Sequence, residues 1–102
     1  MAWAYVQTVD DVGLDAYDAV AKEIGEEQPE GAIVHVAGVY EGKLRIMEVW
    51  ESEAHYRRFR EERLAPALAK LMGPEAFSSE WPPAGLEPME VHALLGIEQA
   101  AV

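Results

Sequence analysis

The sequence predicts one α+β domain in which elements follow the order β-α-β-β-α-β and build a four-stranded antiparallel sheet with both helices on one face. Three observations carry this. The 102 residues are 50% hydrophobic and 26% charged, the balance of a single globular domain spanning residues 1–102. Stretches with strand alternation take turns with stretches of helical spacing. Between the two most β-branched stretches stands Glu41-Gly42, the mark of a two-residue hairpin.

The first strand covers about residues 2–9, with Trp3, Tyr5, Gln7 and Val9 on one side. After Gly13, the apolar positions Leu14, Tyr17, Val20, Ala21 and Ile24 recur at helical spacing. Asp15 and Asp18 suit the positive end of that helix and Gly25 closes it. A polar connection holding Pro29 and Gly31 leads into the second strand, 32–40, and the third runs from Lys43 to Trp50. Ser52 is a good cap for a long second helix whose stripe is Tyr56, Phe59, Arg63, Leu64, Leu68 and Leu71. Pro66 has no N–H to donate and crowds the preceding turn, which predicts a kink or break near Ala65. Gly73-Pro74 ends the helix. Residues 74–88 hold four prolines with Phe77 and Trp81 and read as an ordered arm over something apolar, and Met89 to Ile97 reads as the fourth strand. This order defines a ferredoxin-like sandwich.

Composition removes several classes of function. Nineteen Asp and Glu against eight Lys and Arg leave a net charge of −11, which repels phosphate backbones and anionic membrane surfaces and argues against nucleic-acid and membrane partners. The absence of cysteine removes disulfides, thiolate nucleophiles and Cys-rich metal sites. No stretch approaches the ~18 apolar residues of a membrane span, and the first residues lack a basic region followed by a long apolar one, so a cytoplasmic protein is expected.

With Glu41-Gly42 as the loop, Ile33 is expected opposite Trp50, His35 opposite Glu48, Ala37 opposite Ile46 and Val39 opposite Leu44. The other face presents Val34, Val36, Met47 and Val49, so both faces are largely apolar, and two helices cover one. The uncovered face, with Trp3 and Tyr5 expected among its large side chains, exceeds what a monomer leaves in water. A second copy is expected to cover it, in a two-fold homodimer enclosing a barrel-like cavity. The alternative is that the arm at 74–88 folds over its own sheet.

The phrase Glu48-Val49-Trp50-Glu51-Ser52-Glu53, followed by Tyr56 and Phe59, resembles the dimeric α+β barrel superfamily, and within it the antibiotic biosynthesis monooxygenase-like (ABM) proteins. In architecture the resemblance spans nearly the whole chain, though the Trp-x-Ser hinge marks the fold better than any activity. It implies a hinge Trp50 pointing into the cavity between sheet and helices, and an oxidoreductase role in secondary metabolism. Two departures matter. The haem-degrading branch carries a His ten residues after the hinge Trp, where this chain has Arg60. The branch that oxidises anthrone-type phenols without a cofactor carries an Asn four residues before that Trp and a Tyr six after it; here these are Ile46 and Tyr56.

The sharpest pairing for chemistry is His35 opposite Glu48, because a carboxylate beside an imidazole fixes its tautomer and raises its basicity, as a general base requires. The same pair also serves simply to satisfy two buried groups. Trp50 and Tyr56 are candidates to stack on a planar ligand, with the Tyr56 hydroxyl a donor to a phenolic or carbonyl oxygen. Gln7 and Tyr5 share a side of the first strand and are assigned to the same cavity. His92 is placed on the fourth strand, facing either the cavity or solvent. His55, in the first turn of the second helix, and the Arg57, Arg58, Arg60 and Arg63 cluster read as surface. Three histidines without paired ligand spacing give no metal site, and no phosphate-cradling or dinucleotide motif calls for a cofactor. The function expected is a homodimeric, cofactor-independent monooxygenase acting on a small aromatic or polyketide-like molecule, with His35 as base. A cofactor-free isomerase or cyclase, and a non-catalytic ligand-binding accessory dimer, are the alternatives.

Overall fold

The computed structural model describes residues 2–10 and 12–96; Ile97, the end of the expected fourth strand, lies outside them. The elements are β1 (Trp3–Val9), α1 (Leu14–Ile24), β2 (Ala32–Tyr40), β3 (Lys43–Trp50), α2 (Glu53–Phe59), a π-helical turn (Arg60–Leu64), α3 (Ala65–Met72), a 3-10 turn (Pro74–Ala76) and β4 (Leu86–Glu90). The four strands form one sheet in the order β2-β3-β1-β4, with every neighbouring pair antiparallel. This is the ferredoxin-like α+β architecture.

The hairpin sets the register as its two-residue loop dictates. Glu41 and Gly42 both take positive φ, 51° and 77°, the twist that joins two right-twisted strands without splaying them. His35 therefore pairs with Glu48, Ala37 with Ile46 and Val39 with Leu44. The parity fails at the far end, where a bulge between Ala32 and Val34 brings Ala32, not Ile33, opposite Trp50. An extra residue in one strand is invisible to a simple count across the loop.

The second helix is continuous but not uniform. The Ser52 side chain accepts from the His55 backbone N–H at 3.2 Å, capping α2. Before Pro66, in the first turn of α3, the chain widens into the π turn, which accommodates the proline ring and its missing donor without ending the helix. Arg60 sits in that widened turn and is buried.

The fourth strand begins earlier than expected. Pro88, which cannot donate within a ladder, marks a boundary in the sequence, yet β4 is an edge strand and tolerates it. Leu86 pairs with Gln7 and Glu90 with Trp3, so His92 falls beyond the strand and is exposed.

The face of the sheet toward the helices carries the core. Trp3 and Tyr5, expected on the uncovered face, are 6% and 3% exposed beneath the helices, because the β1–β3 register pairs them with Trp50 and Glu48. The arm covers this same face, where Trp81 stacks on Trp3 at 6.1 Å between ring centroids; on the opposite face Ala4 and Val49 are buried, and much of the rest is open. There Val36, Tyr40, Met47 and Met89 are exposed. Among the described residues no helix is long and apolar enough to cross a membrane.

Candidate active site

Between α1, the 25–29 connection and the β2–β3 half of the sheet lies a cavity of about 460 Å³, within the range of small-molecule sites. Tyr5, Gln7, His35, Glu48, Trp50 and Tyr56 all line it, so the structure gathers six of the seven sequence-derived candidates around one space. His92 is not among them. Apolar side chains of Val20, Ile24, Ile46, Phe59 and Leu64 make up much of the remaining wall.

The polar centre is built on β3. Glu48 points inward because alternation places it two residues before Trp50 on the same face, and it is 7% exposed. One carboxylate oxygen accepts the Trp50 indole N–H at 2.8 Å, and the other accepts from Nδ1 of His35. Since a carboxylate only accepts, the neutral His35 ring carries its proton on Nδ1 and leaves Nε2 as an acceptor. Tyr17 on α1 donates its hydroxyl to that Nε2. The hydrogen bond that His35 donates to Glu48 holds the imidazole above its ordinary pKa, outweighing a burial that pulls the other way. Burial, with Glu48 and Asp18 nearby, raises the Tyr17 phenol, so it stays protonated and donates.

On its other flank Glu48 faces Tyr5. Burial first, then the Glu48 charge and Tyr56, push the Tyr5 phenol far above its ordinary value. Tyr56 is raised by burial too, an effect opposed by its contacts with Tyr5 and Arg60. The Tyr56 hydroxyl thus faces protein groups, and its ring packs on Tyr5 at 4.7 Å and Trp3 at 5.4 Å. Trp50, 2% exposed, is a floor residue that orients Glu48 rather than a free stacking plate. Gln7 stands at the rim, its amide 3.5 Å from the Ala84 carbonyl.

Several residues depart from their expected settings. Arg60, expected on a solvated face, is 8% exposed, donates to the Ser78 carbonyl at 2.9 Å and stacks over Phe77 at 4.8 Å. Arg63 donates to the Ile24 and Glu27 carbonyls at 3.0 and 2.9 Å and so ties the end of α1 to the second helix. His55 is held between Ser52 and the chain at Gly31, where a Cβ would stand 2.5 Å from its ring. Tyr17 is the functional candidate that sequence reasoning missed. Its helical spacing marked it as core, and its pairing with His35 depends on how α1 crosses the sheet. Among the described residues no group of three or more His, Asp or Glu is arranged to hold a metal ion.

The architecture places the chain with small ferredoxin-like α+β domains. Among solved structures it is similar to a "putative Antibiotic biosynthesis monooxygenase" from Chloroflexus aurantiacus J-10-fl, at a TM-score of 0.60 and 18% identity, over 95% of this chain and 99% of that one. At that identity the likeness is one of fold. No protein-family model and no curated protein matches the sequence.

Proposed function

We propose that this chain is a homodimeric, cofactor-independent enzyme acting on a small aromatic or polyketide-like molecule held in the 460 Å³ cavity. The observation that carries this is the His35–Glu48 pair at the wall of a largely apolar chamber. Glu48, itself held by Trp50, keeps the His35 tautomer with Nε2 toward the cavity, where it takes a proton from an acidic C–H or O–H of the substrate. Tyr5, Gln7 and Tyr56 shape the space around the ligand. An electron-rich carbanion or phenolate reacts with O₂ directly, without flavin or metal: the new C–O bond gives a hydroperoxide at a carbon that still bears hydrogen, and loss of water from it leaves a carbonyl, so that the substrate itself supplies both hydrogens and all four electrons and ends as a quinone-type product. The fold shared with the Chloroflexus protein is consistent with this chemistry. The exposure of Val36, Met47 and Met89 on the outer face favours a second copy packed sheet to sheet.

The test is oxygen uptake with anthrone-type and naphthol-type hydroxyarenes by the wild type and by His35→Gln. Loss of a positioned base costs about 10²- to 10⁴-fold, and uptake by the wild type with at least a hundredfold fall in the variant is expected. Equal rates in both proteins would remove His35 as the base. Substrate conversion without oxygen uptake would indicate an isomerase or cyclase instead.

A further inference from the structure

The lone pair that a base at His35 must offer is occupied by Tyr17. The occupant is itself a phenol, its ring close to parallel with the imidazole at 16° and 6.0 Å between centroids. A hydroxyaryl or enolic molecule has the same donor, the same planarity and similar acidity.

The helix that carries Tyr17 is lightly held where Tyr17 sits. No residue of α1 is buried. Its C-terminal end is tied by Lys70 to Glu23 at 3.0 Å and by Arg63 to the Ile24 carbonyl. Its N-terminal half starts at Gly13 without a side-chain cap, and Leu14 there is 50% exposed. Among the described residues, the Tyr17 hydroxyl makes the one side-chain hydrogen bond from that half to another element. Rotation of one side chain therefore frees Nε2 while the rest of the helix stays anchored.

We propose that Tyr17 is an internal stand-in for the substrate: its phenol fills the seat on His35 Nε2 that the O–H of a hydroxyaryl or enolic ligand takes, and ligand binding displaces it. The inference rests on the reading of the cavity as the substrate site. Exchanging one O–H···N bond for another is nearly neutral. A ligand without a hydroxyl breaks the Tyr17 bond and replaces it with nothing, so the displaced residue also sets specificity. Apolar contact with Val20, Ile46 and Phe59 then supplies affinity.

The experiment uses 2-naphthol, with naphthalene as the hydroxyl-free control, on the wild type and Tyr17→Phe, followed by calorimetry and by the ¹⁵N resonance of His35 Nε2 at a pH where the ring is neutral. Without ligand, the Phe variant moves that resonance downfield, because the donor is gone. Added 2-naphthol returns it upfield and naphthalene does not. The variant binds 2-naphthol about five- to tenfold tighter than the wild type, the worth of one neutral hydrogen bond removed from competition. In the wild type, bound 2-naphthol abolishes the proximity signal between the Tyr17 and His35 rings. Bound 2-naphthol that leaves this signal intact, or that binds both proteins equally, overturns the stand-in alone. No binding of 2-naphthol to either protein overturns the underlying reading of the cavity and the stand-in with it.

Discussion

The face of the sheet beneath the helices divides into two unlike halves. Under α2 and α3, over β1 and β4, Trp3, Tyr5, Tyr56 and Trp81 pack ring on ring at 4.7 to 6.1 Å. Under α1, over β2 and β3, the same layer holds the cavity. The difference follows from side-chain size. The second helix and the arm send aromatic rings down onto the sheet, whereas Val20 and Ala21 on α1 and Ala32 on β2 are too short to meet across the gap. Glu48 stands on the strand between the two halves. It takes the Trp50 N–H on one oxygen and the His35 ring on the other. The filled half holds the carboxylate in place, and in the open half its partner His35 lines the cavity.

Breaking the filled half has the largest expected effect. Trp50→Ala removes the largest fully buried side chain and the donor to Glu48, and should destabilise the protein by about 3–5 kcal/mol in denaturant unfolding. A cost below about 1 kcal/mol would mean that the aromatic layer does not hold the fold.

The outer face of the same sheet extends the comparison, since Val36, Met47 and Met89 are exposed there and, among the described residues, no helix lies over it. Placing a charge there with Met47→Glu should convert a species of twice the chain mass into a single chain by light scattering, with the far-UV spectrum retained. A wild type that already scatters as a single chain at micromolar concentration would remove the dimer.

Filling the open half should do the reverse of breaking the closed one. Val20→Phe projects a ring into the cavity from a half-buried helix position and should change stability by less than about 1 kcal/mol. Aryl ligand binding, measured by calorimetry, should be lost. Retained affinity would place the ligand elsewhere.

The smallest effect expected is on pH dependence. His35 has a native pKa raised above its ordinary 6.5, so the protonated form is favoured by folding. Its contribution to stability is complete below about pH 6.5 and is lost as pH climbs through the elevated native value. The proposed base catalysis should run the opposite way and rise over that same interval as the ring becomes neutral. Glu48→Gln removes the charge responsible, and an NMR titration of His35 should then fall back toward 6.5. An unchanged titration would show that Glu48 does not set it.

Particular residues show what could be read without coordinates. The pairing of His35 with Glu48 followed from a two-residue loop and strand parity, which are local rules; the same alternation put Trp50 on the face of Glu48, while its place in the cavity came from the family resemblance. Ile33 escaped them because a bulge changes parity without leaving a composition mark. Pro88 misled the boundary of β4, since its exclusion from ladders holds inside a sheet and lapses at an edge. Arg60 passed for a surface residue because helical spacing does not say which side chains an arm eighteen residues later will cover.

From the sequence alone came the order of the elements, the hairpin register and the apolar character of both sheet faces, all consequences of forces acting between near neighbours along the chain. Only the tertiary structure decided that Trp3 and Tyr5 turn inward, that Arg60 is buried beneath Phe77, and that Tyr17 reaches His35 across eighteen positions. Those contacts depend on the angle at which helices cross the sheet. That angle is set by packing over the whole domain, where no short segment holds the information.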